Sequence, residues 1–211
     1  MNKFWFTTAA TLSIASNVGA QTKSWQEFLN GGRLTYSTAE NPKAKGVEAS
    51  FDYPKSWNGM NGKRPNIIYQ VTSESGNGLE LCNLSVRELN LPADYVVTQK
   101  EAADFFDAET YKSMVPSSGK FIEGAKTTID GQPAAWINFE SQMNRAGIDI
   151  RTLWIMYPVY VDKRLFILNC GVGDSTEKPR ADLQRRYLNF LPLFQQMANS
   201  IVIHSKWKNR R

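Results

Sequence analysis

Two long apolar segments in the second half of the chain constrain its fold more than any other feature. Residues 148–161 and 164–172 are rich in β-branched and aromatic side chains, and only Asp162 and Lys163 separate them. A two-residue connection makes neighbouring strands antiparallel. The sequence therefore predicts that both segments are central strands of an antiparallel sheet.

Shorter runs elsewhere alternate apolar and polar residues, which is typical of half-buried strands. These runs cover residues 34–38, 47–53, 67–71, 79–89, 121–129 and 134–141. Turn-forming residues at 75–78 and at Asp130 and Gly131 predict two hairpins between them.

Two segments change to helical spacing. Thr98 and Glu101 have the spacing of a capping box, and they predict one helix over residues 99–114, ended by Pro116. A second helix begins near residue 179 and contains Pro192, so we expect a kink or two consecutive helices there. The predicted fold class is α+β: one antiparallel sheet with helices on both faces, an α/β/α sandwich.

The first 20 residues have the features of a secretory signal peptide. One cation, Lys3, precedes a mostly apolar stretch and then small residues, and cleavage before Gln21 fits best. Residues 21–211 then form a single domain that ends in a short basic tail. Position 21 is not cysteine, and no segment resembles a transmembrane span, so we expect a periplasmic or secreted protein.

Two cysteines, Cys82 and Cys170, lie within apolar strand segments. In an oxidising compartment such a pair is more often a disulfide than a reactive couple, although two buried free thiols are the alternative. A bond between them would join strands far apart in the sequence.

The net charge of +5 is modest for 211 residues, and much of it lies in the tail at 204–211. Such a tail is either solvated or a site for anionic lipid, cell-wall glycan or an acidic partner. Export and the absence of a basic stripe interleaved with aromatics argue against nucleic-acid binding.

The familiar catalytic and metal-binding motifs are absent from the sequence. A hydrolase would have to use the single histidine, His204, or an acid pair such as Glu140 with Asp149. We therefore expect no enzyme activity, no cofactor and no metal site.

Aromatic residues are the more informative candidates for binding. Most of them are expected in the core, but Trp57 and Tyr160 lie near predicted loops and could be exposed anchors. The loop over residues 58–65 is glycine-rich and carries Lys63 and Arg64. These four residues are the predicted binding residues.

Several short motifs resemble those of the PsbP and DcrB group. They are the segment 51–57 (Phe-Asp-Tyr-Pro-Lys-Ser-Trp), the capped central helix, the segment 130–134 (Asp-Gly-Gln-Pro-Ala) and the end of the last helix at Ser200 and Ile201. The similarity covers most of residues 45–203. It implies a PsbP-like fold and a binding scaffold more often than an enzyme, whereas the lipidated cysteine of DcrB-type lipoproteins is missing.

These observations predict an exported, non-enzymatic binding or accessory protein of the bacterial cell envelope. Its partner would be another envelope or secreted protein, as for an adaptor or an immunity protein. The alternatives are an envelope hydrolase and a lipid or cell-wall glycan binder that uses the basic tail. The sequence leaves the oligomeric state open.

Overall fold

The computed structural model describes residues 22–73, 79–92 and 94–205. The predicted signal peptide, the predicted turn at 75–78 and all of the basic tail beyond Ser205 lie outside these ranges.

The described chain forms two antiparallel sheets and four α-helices. The helices are α1 (Lys23–Leu29), α2 (Gln99–Asp104), α3 (Ala108–Met114) and α4 (Arg180–Asn199), with a short 3₁₀ helix at Pro42–Ala44. The strands are β1 (Arg33–Ser37), β2 (Ala49–Pro54), β3 (Asn58–Asn61), β4 (Ile67–Thr72), β5 (Leu79–Glu88), β6 (Gly119–Ile129), β7 (Gln132–Arg145), β8 (Ile148–Val161), β9 (Arg164–Ser175) and β10 (Val202–Ile203).

The larger sheet has seven strands in the order β3-β4-β5-β9-β8-β7-β6, and the smaller has the order β1-β2-β10. Strands β8 and β9 lie inside the larger sheet, as the sequence predicts. Asp162 and Lys163 in the turn between them both have positive φ angles, and so do Asp130 and Gly131 between β6 and β7. Such conformations match the twist of tight hairpins. The mixed α+β class with antiparallel strands is therefore confirmed, but the described strands form two sheets and not the single sheet that the sequence predicted.

One predicted helix is divided in the structure, and the other is continuous. The expected single helix over 99–114 is wrong, because α2 ends at Asp104 and α3 starts again at Ala108. Asp107 causes the restart: its side chain accepts the amide hydrogen of Thr110 and so caps α3. Helix α4 continues through Pro192, so the alternative of two consecutive helices is wrong, and Phe190 and Leu193 on either side of the proline are buried. Of the described helices, none is both long and apolar enough to span a membrane.

Two apolar clusters form the core. One contains residues of α4 together with Ile155 and Tyr157 of β8, whereas the other contains residues of α2 and α3 together with Trp154 and Met156. Consecutive residues of β8 thus alternate between the clusters, since successive side chains of a strand point to opposite faces.

Cys82 and Cys170 form the predicted disulfide. They are directly opposed on β5 and β9, with their Cα atoms 4.0 Å apart and a sequence separation of 88. Both cysteines are buried in the cluster beneath α4. The bond therefore joins two neighbouring strands inside the core.

Candidate functional site

Trp57 is a core residue and not the exposed anchor that we expected. Only 3% of its surface is accessible, and its ring packs against Phe190 and Phe194 of α4. Its indole nitrogen donates a hydrogen bond to Ser24 Oγ at 3.0 Å. Because α1 and α4 cover both the ring and its polar atom, Trp57 cannot contact a partner in this conformation.

Tyr160 is likewise buried, contrary to its predicted exposure. It belongs to the cluster beneath α2, where its ring contacts Phe105 edge-on. Burial raises the pKa of its hydroxyl above the ordinary value for tyrosine. Both aromatic residues proposed as anchors therefore stabilise the fold.

The predicted loop over residues 58–65 is in fact half strand. Asn58–Asn61 forms β3, which pairs with β4 and lies at one edge of the larger sheet. All four of its residues are exposed. The glycine-rich composition concealed this strand. Glycine is required at position 59, because a Cβ atom there would lie 2.1 Å from the hydroxyl of Tyr69.

Lys63 and Arg64 lie in the turn between β3 and β4, and both are exposed. The side chain of Lys43, in the 3₁₀ helix, contacts this turn and stabilises it. Its ammonium donates hydrogen bonds to the carbonyl oxygens of Gly62, Arg64 (3.0 Å) and Ile67 (3.3 Å). An ammonium that satisfies three carbonyls holds the turn in one conformation.

The same edge carries a local excess of positive charge. Between residues 53 and 73 the chain contains Lys55, Lys63 and Arg64 but no acidic residue, and all three cations are exposed. Lys55 lies before β3, where the neighbouring Ser56 donates hydrogen bonds to the carboxylate of Glu27, whereas Lys63 and Arg64 follow β3 in the turn. We call strand β3, the turn to β4 and its cations Lys63 and Arg64 the cationic edge. An exposed strand edge beside a fixed group of cations can bind an extended acidic segment through backbone hydrogen bonds and ion pairs.

Glu140 and Asp149, which we considered as an acid pair for hydrolysis, do not lie close together. Across β7 and β8, Asp149 is opposite Asn144 whereas Glu140 is opposite Leu153, so the backbones of the two residues are four ladder positions apart, roughly 13 Å along the strands. Glu140 instead forms ion pairs with Arg151 and with Arg180. Glu140 is thus part of a salt-bridge network.

His204 is close to a serine. Its Nε2 lies 3.0 Å from Ser50 Oγ, between β2 and the residues that follow β10. Ser50 is only 8% exposed and lies in the middle strand of the smaller sheet. In residues 22–73, 79–92 and 94–205, no three histidine, cysteine, aspartate or glutamate side chains are grouped closely enough to hold a metal ion.

A cavity that the sequence did not predict lies at the opposite end of the larger sheet. It has a volume of about 330 Å³, and α4 and strands β6, β7 and β8 form its walls. Trp136 and Tyr157, which the alternation places on the α4 face, contribute to its lining. We call it the helix–sheet cavity.

Comparison with known proteins supports the fold. No protein-family profile and no curated protein matches the chain. The solution structure of cyanobacterial PsbP (CyanoP) from Synechocystis sp. PCC 6803 is similar to it, with a TM-score of 0.50 and 16% identity over 82% of this chain and 92% of that one. The chain therefore has a PsbP-like fold, as the motifs predicted.

Two further solved structures are less similar. LpqN, described as involved in cell envelope biogenesis of Mycobacterium tuberculosis, has a TM-score of 0.43 and 9% identity over 82% of this chain and 92% of its own. The Saccharomyces cerevisiae Ran-binding protein Mog1p has a TM-score of 0.48 and 10% identity over 81% of this chain and 95% of its own.

Proposed function

We propose that this chain is an exported, non-enzymatic binding protein of the bacterial cell envelope, and that its cationic edge binds an acidic, extended segment of another envelope or secreted protein. An adaptor or an immunity protein would act in this way. The observation that carries the proposal is the fixed turn: Lys43 holds the backbone from which Lys63 and Arg64 extend into solvent.

A preorganised turn favours binding because less conformational entropy is lost on association. The strand beside it supplies the second element of recognition. Strand β3 has a strand neighbour on one side, β4, so its other edge can accept a partner strand. The cations disfavour pairing of this edge with the same edge of a second copy, because like charges would then face each other. They favour pairing with an acidic segment.

The proposed compartment is supported by the disulfide. Structural disulfides persist in oxidising spaces and are rare in the cytosol, and the Cys82–Cys170 bond is buried within the core. Under this proposal an α/β/α sandwich is the scaffold, and the binding surface lies at the sheet edge that the helices leave open.

Site-specific photo-crosslinking in the bacterial envelope tests the proposal. A photoreactive amino acid at Met60, which is 44% exposed on β3, would report the protein that docks at this edge. We expect one partner, crosslinked through an acidic peptide. The crosslink should be lost in the double variant Lys63→Glu/Arg64→Glu.

A matched control is the double variant Lys100→Glu/Lys112→Glu. It changes the net charge by the same amount at exposed positions on α2 and α3, and it should leave the crosslink intact. Equal crosslinking in both double variants, or crosslinking to basic peptides, would overturn the proposal.

A hydrolase remains the second candidate, because His204 and Ser50 are in hydrogen-bond contact. The low exposure of Ser50 and its place within a paired strand favour a structural role for this contact. Purified protein with esterase or amidase turnover that is abolished by both His204→Ala and Ser50→Ala would establish the hydrolase instead.

A further inference from the structure

The outer side of strand β3 presents the backbone groups of two residues. The amide of Gly62 donates to the carbonyl oxygen of Ile68 on β4 at 3.0 Å. Hydrogen bonds to one neighbour alternate along an antiparallel strand, so Met60 also bonds to β4, whereas the N–H and C=O groups of Gly59 and Asn61 point away from it. A strand that docks on β3 would therefore form its hydrogen bonds with Gly59 and Asn61.

Two tyrosine hydroxyls lie beside this open edge. The hydroxyls of Tyr69 and Tyr53 occupy the space that a Cβ atom at Gly59 would need. Gly59 is exposed, and Tyr69 is half-buried. Because glycine has no side chain, β3 does not cover the hydroxyl of Tyr69 on its outer side. We call Gly59 and these two hydroxyls the tyrosine notch.

The pair of hydroxyls has one proton left for a ligand. The two oxygen atoms are 3.2 Å apart, so one hydroxyl donates to the other, and only one of their two protons is used. Tyr53 is 6% exposed, so the orientation that serves a ligand is the one in which Tyr53 donates to Tyr69. Burial raises the pKa of Tyr69 above its ordinary value, which keeps its proton in place at neutral pH. The tyrosine notch is thus a hydrogen-bond donor.

The register of β3 determines which residue of a docked strand reaches the notch. Tyr69 is opposite Asn61, and Gly59 lies two residues earlier, so the notch is on the face to which Tyr69 points. The docked residue opposite Gly59 projects its side chain on the same face. Directly opposed Cβ positions are about 4.5–5.5 Å apart, so a carboxylate on a short stem can reach the hydroxyl. In antiparallel order, the docked residue near Lys63 lies four positions earlier.

We propose that the tyrosine notch binds the carboxylate of an acidic side chain in the docked segment, and so fixes the register of that segment on β3. This inference rests on the proposed function, in which an acidic segment docks at the cationic edge. A carboxylate only accepts hydrogen bonds, and its bond to a hydroxyl is strengthened by its charge. With Lys63 and Arg64 on the same edge, the segment carries two acidic residues four positions apart, of which the carboxyl-terminal one occupies the notch.

Binding of a synthetic peptide to the purified mature chain tests the notch. The probe is Ser-Thr-Glu-Val-Thr-Val-Glu-Thr-Ser with an amino-terminal fluorescein and a blocked carboxyl end, and its affinity is measured by fluorescence anisotropy. We expect Tyr69→Phe to weaken binding about tenfold, because a hydrogen bond to a charged group is lost. Glutamine at the seventh peptide position should weaken binding of the unaltered chain to a similar extent, but that of Tyr69→Phe much less. Glutamine at the third position should weaken both proteins equally.

Tyr36→Phe is the matched control. The ring of Tyr36 stacks on that of Tyr69, with the centroids 3.7 Å apart, but its hydroxyl accepts a hydrogen bond from Asn41 Nδ2 at 2.9 Å. The change therefore removes a hydroxyl from the same group of rings and leaves the notch intact. This variant, with its fold checked by circular dichroism, should bind the peptide like the unaltered chain.

The outcomes separate this inference from the proposed function. If Lys63→Glu/Arg64→Glu abolishes peptide binding but Tyr69→Phe binds as well as the unaltered chain, the notch proposal is overturned and the proposed function stands. Equal weakening by Tyr36→Phe and Tyr69→Phe also overturns it, because the effect would then come from ring packing. If the peptide does not bind at millimolar concentration, or if the charge-reversed variant binds it equally well, both proposals fail.

Discussion

The guanidinium of Arg186 on α4 forms an ion pair with the carboxylate of Glu80 on β5, which is only 3% exposed. The same guanidinium also contacts Asp174 Oδ2 on β9 at 2.6 Å. One arginine therefore connects α4 to two neighbouring strands of the larger sheet.

Replacing Arg186 with methionine should destabilise the protein strongly, because it leaves the buried Glu80 carboxylate without its counterion. The expected loss is about 3–5 kcal/mol in the free energy of unfolding, measured by urea denaturation. Adding Glu80→Met should restore part of this loss. Arg185→Met, at an exposed ion pair on the same helix, is the control and should cost less than about 1 kcal/mol. Similar losses for the Arg185 and Arg186 variants would contradict this interpretation.

Removing the disulfide with Cys82→Ser and Cys170→Ser should lower stability by about 2–5 kcal/mol, because the bond closes a long loop in the unfolded chain. Thermal unfolding with and without reductant measures the effect. Reductant should lower the melting temperature of the unaltered protein and have no effect on the double variant. An unchanged melting temperature on reduction would show that the two thiols are not joined.

Lys43→Met should loosen the turn at 62–67, since three carbonyl oxygens lose their donor. We expect faster amide hydrogen exchange in this turn, a loss of crosslinking at Met60, and a small change in global stability. Lys45→Met is a control two residues away, where the lysine forms an exposed pair with Glu88. If exchange in the turn were the same in both variants, Lys43 would not be what holds it.

The protein should unfold at alkaline pH. Burial raises the pKa of both Tyr157 and Tyr187 above their ordinary value of 10.0. A raised pKa means that the unfolded chain loses these protons first, so the stability they provide is complete below pH 10 and falls as the pH rises further. Absorbance of tyrosinate and circular dichroism should change together above pH 10. Titration of all tyrosines near pH 10 with the fold intact would contradict this.

Most strands were predictable because alternating side chains and turn residues are local signals, but β3 was not, because its glycine-rich sequence resembles a loop. The break between α2 and α3 also had a local signal, since Asp107 precedes Thr110 at the spacing of an N-cap, but the apolar period of the segment concealed it. The burial of Trp57 had no local signal in the sequence. It depends on α4, which packs over the ring from the far end of the chain.

The candidate site residues also divide into those with a local signal in the sequence and those whose placement depends on distant elements. Lys63 and Arg64 are exposed, as expected for charged residues in a glycine-rich segment. The contact that fixes their turn, however, comes from Lys43 in a separate element. Alternation could place Trp136 and Tyr157 on a common face. It could not show that a cavity separates that face from α4, or that the Tyr157 hydroxyl is left without a partner.

The insertion of β9 between β5 and β8 determines when the sheet can form. Strand β5 obtains its inner neighbour only after the chain has passed through α2, α3 and three further strands. Closing so long a loop costs entropy before any pairing compensates for it, and proteins rich in such distant contacts fold slowly. Until β9 is added, β5 has an open edge and Cys82 is a free thiol, so the amino-terminal half of the sheet depends on the last strands for its completion.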